Sequence, residues 1–134
     1  MNPLIASLFL AVLPVSKPAE PIDVERMIEA ICQIEGGSWS AVGGAGCLSY
    51  IAWEQHRPNL SYQLSASKEH AMPVYREHLH WLIFNLPRNR IKVTPASLYT
   101  CWRYGLDGGI KRLRSGIPAQ AVRCQNLYED FPAR

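Results

Sequence analysis

The stretch that decides the fold is AICQIEGGSW, Ala30 to Trp39. It closes an apolar helical run on a carboxylate, two glycines and a tryptophan. Upstream, Asp23 stands where an N-cap belongs, and helical spacing predicts a helix over Val24–Glu35. At about 100° per residue, Val24, Met27, Ile28, Ile31 and Ile34 share one face, while Glu25, Arg26, Glu29 and Gln33 share the other. Gly36 and Gly37 can end the helix in a left-handed conformation. Glu35 comes seven residues after Ile28 and four after Ile31, so it projects from the apolar stripe and not from the polar face.

A glutamate in that place has a specific chemical use. Burial among apolar groups and the negative end of the helix dipole both disfavour a bare negative charge. A carboxylic acid that keeps its proton is what general-acid cleavage of a glycosidic bond requires. The same spacing also suits a glutamate that turns outward at a frayed helix end, or one paired with an arginine.

Outward from this helix, the chain reads as mainly α. A glycine-rich loop, Gly43 to Gly46, precedes a short predicted helix from Ser49 to His56. Arg57 to Ser67 reads as loop. Lys68 to Leu86 reads as helix with a break or kink near Pro73, and Pro87 to Arg90 as a turn or loop. Thr94 caps a helix that has Pro95 in its first position and Gly105 at its end. A short helical turn is expected within Gly109 to Gly116, and Pro118 opens a last helix. Strand signals are weak throughout.

Composition sets outer bounds. A chain of 134 residues, 48% of them apolar, suits one domain with a small core. A net charge of +3 and a pI near 8.8 are compatible with an anionic partner but select none. No Walker-type loop and no zinc-ligand spacing is present, so neither a cofactor nor a metal is expected. Leu4 to Val15 is an apolar run of signal-peptide size, too short to span a bilayer comfortably. Pro14, Pro18 and Pro21 separate it from the remainder of the chain. Residues 1–19 are therefore expected to be a signal peptide or N-terminal apolar segment, and 20–134 the domain. A buried N-terminal helix or an uncleaved anchor is the competing reading. Cys32, Cys47, Cys101 and Cys124 allow three disulfide pairings, or none if they are buried thiols. The four histidines have no recognised ligand spacing; His78 and His80 fall on different helix faces, and solvated or lightly packed places are expected for all four.

The order helix, glutamate, glycine-rich loop, aromatic helix resembles the lysozyme-like superfamily, specifically the soluble lytic transglycosylase type. In that family a helix ends in a pattern close to A-I-x-x-E-S, followed by G-A-x-G-L-M-Q, then A-Y-N-x-G, then a terminal helix close to Y-x-x-x-V-x-x-L-Y. Glu35 matches the catalytic glutamate. Gly43 and Gly46 match the loop glycines, and Cys47, Leu48 and Ser49 lie over Leu, Met and Gln. Trp102, Arg103 and Gly105 lie over the Tyr, Asn and Gly of the later motif, and QAVRCQNLYEDF resembles the terminal helix. The resemblance covers roughly residues 24–130. The spacer before the glycines is shorter than in the family, and Ser49 and Arg103 replace residues that help hold sugar.

The resemblance implies a small lysozyme-like helical domain with a cleft beside the catalytic helix. It implies an exported enzyme, periplasmic or extracellular, that acts on the peptidoglycan glycan strand with Glu35 as general acid and base, and that keeps no stable membrane span after processing. Ser49, Tyr50, Trp102 and Arg103 are the substrate-binding candidates, Tyr50 and Trp102 as sugar-stacking rings. Two roles are open to Arg103: gripping a muramyl lactyl or peptide carboxylate, or pairing with Glu35. A hydrolytic route would need a second carboxylate, for which Glu54 and Asp107 are the candidates. The alternative is a lysozyme-like module that binds glycan without cleaving it. A DNA-binding domain, suggested by Lys111 to Arg114, is opposed by the export-type segment, the modest charge and the lack of a base-reading helix; no nucleic-acid partner is expected.

Overall fold

The computed structural model describes residues 20–131. The apolar run and processing site expected within residues 1–19 lie outside them. The described chain is mainly α, as its spacing implies, with no strand among the described residues. Its elements are α1 (Val24–Glu35), α2 (Tyr50–His56), a 3-10 turn (Tyr62–Ala66), α3 (Lys68–Arg88), α4 (Pro95–Tyr104), α5 (Leu106–Ser115) and α6 (Ala119–Asp130). No described helix is long and apolar enough to cross a membrane.

α4 lies at the centre. Every residue from Pro95 to Trp102 is buried, and the helix packs against α3, α5 and α6. A helix buried on all sides belongs inside the core. Its start is fixed by a capping box: Ser97 N–H donates to Thr94 Oγ1 at 3.0 Å, and Thr94 N–H donates to Ser97 Oγ at 2.9 Å. Gly105 ends it at φ +80 and leads straight into α5. The two helices touch at Gly109, where a Cβ would stand 2.6 Å from Cys101 Sγ. Arg103 and Tyr104 are thus the first exposed residues after a buried run of eight.

α1 packs on α3 and α6 through its apolar stripe, with Met27, Ile28 and Ile31 buried and Val24 and Ile34 at its margins. Asp23 caps it by accepting from Arg26 N–H at 3.2 Å, and Asp23 N–H donates to Tyr128 Oη of α6 at 2.9 Å.

Four local expectations need correction. α3 runs through Pro73 without a break. The proline costs one backbone bond, but it sits on the exposed side while Ala71, Val74 and Tyr75 hold the helix to the core. The same helix extends through Pro87 to Arg88, so the predicted turn begins only at Asn89. A 3-10 turn forms inside the segment that reads as loop, capped by Ser61. α5 is a full ten-residue helix in place of the expected short turn, because Gly109 can meet α4 closely and Ile110 is buried beside it. The four cysteines stand as free thiols, and burial pushes Cys124 up to about 12 and Cys101 to about 11.

The histidines divide. His70 and His80 are exposed, as expected. His78 is not: it is buried on α3, stacked on Trp81 at 5.6 Å, with its Nδ1 3.0 Å from His56 Nε2. Its stripe position between Tyr75 and Leu82 puts it inward. Burial, then the charge of His56, pushes His78 down to about 4 from its ordinary 6.5. His56 is lowered as well, by burial first, against the raising effect of Glu77. The unfolded chain therefore takes up a proton on His78 below about pH 6.5 that the folded chain refuses until about pH 4. Stability falls as pH falls through that window, by about 2 kcal/mol between pH 7 and 5. Urea unfolding at those two values checks this; a His78→Gln variant should flatten the dependence, and an equally steep variant would contradict it.

Candidate active site

Glu35 is the last residue of α1. Gly36 turns left-handed at φ +63, and its N–H returns to Cys32 O, so the helix stops at once. Gly37 N–H then donates to Ala45 O at 3.0 Å, tying the helix end to the glycine loop. A Cβ on Gly37 would stand 2.8 Å from Gly44 O, so no side chain fits at this crossing.

The loop itself is latched from several directions. Tyr75 of α3 sends its hydroxyl between two limbs of it: Oη accepts from Gly46 N–H at 2.9 Å and donates to Gly43 O. Trp102 of α4 donates Nε1–H to Gly46 O at 2.7 Å. Gly43 N–H donates to Ser65 Oγ at 2.6 Å, and Tyr62 donates to Leu48 O at 2.6 Å. Gly44 adopts φ +73, and a Cβ there would meet Tyr75 Oη at 2.7 Å. The loop ends at Ser49, whose Oγ accepts from Ala52 N–H at 3.1 Å and caps α2.

This framework brings α1 and α4 together at one charged pair. Arg103 Nη1 donates to Glu35 Oε2 at 3.1 Å and Oε1 at 3.4 Å. The glutamate side chain is 9% exposed and the arginine 43%. Of the two roles open to Arg103 in the sequence, pairing with Glu35 is the one occupied. The Tyr99 hydroxyl, one turn earlier on α4, is buried and faces the same pair, close enough to interact with both Glu35 and Arg103. Burial, then the Glu35 charge, pushes it up to about 12, so it is a proton donor at any ordinary pH. Hydrogen bonding to Tyr104, then the Glu35 charge, raises Arg103 further above its ordinary range.

Arg103 also lines a groove of about 540 Å³ between α2 and the α4–α5 junction. Ser49, Gln55, Trp81, Trp102, Tyr104 and Asp107 share its walls. Glu35 is not a wall residue; it meets the groove through Arg103. Of the expected substrate-binding residues, Ser49, Trp102 and Arg103 are brought together here. Tyr50 is not: it is 57% exposed, lies edge-on to Tyr62, and lines a separate groove of about 460 Å³ with Glu54. Trp102 is 3% exposed, so it has little free ring face for a sugar; its position is that of a latch. Asp107 shares the groove with Arg103, whereas Glu54 does not.

Two kinds of residue escape a reading of the sequence. Tyr99 stands four residues before Arg103 on one helix, so i,i+4 spacing alone places both on one face. Tyr75 and Tyr62 act on a loop far away in sequence, and no local pattern marks them. Among the described residues no cluster of three or more metal-ligating side chains occurs. Comparison with protein-family models, curated proteins and solved structures finds no match.

Tyr75→Phe removes one hydroxyl and leaves the buried Gly46 N–H without a partner, while Gly43 O keeps Leu48 N–H. The loss should be about 2 kcal/mol in urea unfolding, with the Gly46 amide losing protection from hydrogen exchange. Unchanged stability and protection would show that the latch does not hold the loop.

Proposed function

We propose that this domain is an exported, lysozyme-like glycosidase of the lytic transglycosylase type, acting on the β-1,4 bond between N-acetylmuramic acid and N-acetylglucosamine in peptidoglycan. The observation that carries the reading is Glu35 itself: a carboxyl nine-tenths buried at the end of α1, held by the glycine loop against Arg103 at the edge of a groove. The order of elements and the mainly helical fold agree with it.

The chemistry needs one acid. Glu35 Oε–H protonates the bridging oxygen as the bond from the muramyl C1 breaks. The C6 hydroxyl of the same sugar attacks C1, its proton passes to the Glu35 carboxylate, and a 1,6-anhydro product leaves. Tyr99, a buried donor beside the carboxyl, orients it. Ser49 spends its lone pair on the α2 cap and keeps its own O–H for a sugar oxygen. A hydrolytic outcome would instead take water and a second carboxylate, and Asp107 is the one that shares the groove.

A second reading is favoured by the same ion pair. Glu35 held by the guanidinium is engaged away from a glycosidic oxygen, and a domain that keeps the pair when glycan arrives would bind without cleaving. Mass spectrometry of soluble products from purified peptidoglycan separates the two. Anhydro-muropeptides are expected from the wild type and none from Glu35→Gln, a loss of at least about 100-fold. Reducing-end products would make it a hydrolase. Equal release by both proteins would remove Glu35 from the chemistry, and no release by a folded wild type would leave glycan binding.

A further inference from the structure

We infer that Arg103 recognises a carboxylate carried by the substrate, and that this recognition draws it off Glu35. The inference deepens the glycosidase reading and rests on it for its kinetic half; its binding half stands on the groove alone.

Three observations carry it. Arg103 lines the groove and Glu35 does not, so an arriving ligand meets the arginine first. Arg103 is 43% exposed against 9% for its partner, so the arginine is the member with room to turn. Beyond it, the groove edge is cationic: Arg103 and Arg112 lie 5.6 Å and 3.7 Å from the centroid of one ring, Tyr104, and Lys111 stands beside them in an adjoining hollow. Among the described residues, Asp107 is the one acidic side chain on the groove wall.

The exchange conserves charge. The guanidinium, which holds Glu35 through Nη1 alone, leaves one carboxylate for another to which it can offer the planar paired hydrogen bonding that arginine favours. Glu35 is then freed to take a proton and face the glycosidic oxygen. The Tyr99 hydroxyl, buried beside both groups, stays with the carboxyl when the arginine leaves. A neutral glycan supplies no such exchange and leaves the acid paired. Arg103 is on this account a specificity-determining residue. The carboxylate has two sources in peptidoglycan, the lactyl group of the muramyl sugar and the stem peptide.

The binding test uses Glu35→Gln, which does not turn substrate over. It is titrated with a muramyl oligosaccharide stripped of peptide, with the peptide-bearing form, and with the methyl ester of each. Esterification should weaken binding at least about tenfold for whichever form supplies the carboxylate. Adding Arg103→Gln should erase that difference. Equal binding of acid and ester in both forms would overturn the inference. The kinetic test compares wild type with Arg103→Gln on the muramyl glycan and on a chitin oligosaccharide of equal length. The kcat/KM preference for the muramyl glycan should fall at least about tenfold in the variant, with the chitin rate rising. An unchanged preference, or an equal rise on both glycans, would overturn it. Carboxylate-selective binding without any product from the wild type would sink the glycosidase reading alone. Product without carboxylate selectivity would sink this inference alone.

Discussion

The Tyr75 hydroxyl holds the structure's working parts in place. It bridges Gly43 and Gly46 inside a loop that its own turns, Ser65 and Tyr62 also hold. Buried backbone groups left unpaired are costly, and the bridge and the Trp102 bond are what satisfy Gly46. Burial holds the Tyr75 hydroxyl protonated, as a double role of donor and acceptor needs. The neighbouring elements depend on this bridge. Gly36 stops α1 at Glu35, and Gly37, having no Cβ, crosses the loop closely just beyond it. The far end of the loop delivers Ser49 as the cap of α2. Trp102, by reaching Gly46, ties the last turn of α4 to the loop just before Arg103 emerges.

The pair so assembled is asymmetric. One partner is buried and short, the other exposed and long. Such a pair leaves the exposed arginine as the member with room to turn, but turning to solvent alone would strand a buried charge, so the pair opens favourably only toward a ligand that supplies an exchange. On the proposed function, such a pair makes the acid selective, since only a ligand that replaces the counter-ion would release it. The departure of Arg103 from the family pattern then has a physical meaning within the glycosidase reading, beyond a loss of sugar contacts.

α1 and α4 are legible in the sequence because each carries its own boundary chemistry. Asp23 and Gly36 bracket one, and Thr94, Pro95, Ser97 and Gly105 bracket the other. Glu35 is legible for the same reason: its place on the stripe needs only the helical period. Trp102 reads as a stacking ring in the sequence, yet its exposure depends on neighbours that periodicity does not see, here Tyr75 and the loop. His78 reads as solvated, yet its burial rests on Trp81, Trp102 and His56, two of them on other helices. α5 reads as a short turn because its hold on α4 depends on the missing Cβ of Gly109, a tertiary fact. Adjacency to Ser49 ties Tyr50 to the site in sequence, but the turn of α2 points the two into different grooves.

On the proposed function, glycan binds in the groove that Arg103 shares with Ser49 and Asp107. Backbone amide shifts recorded by NMR during titration of the Glu35→Gln protein with a peptidoglycan oligosaccharide test it directly. The expected result is saturable shifts at Ser49, Arg103, Tyr104, Gly105 and Asp107, spreading to Gly36 at the end of α1. Shifts confined to the hollow around Tyr50, Leu60 and Tyr62, or none at saturating glycan, would contradict it.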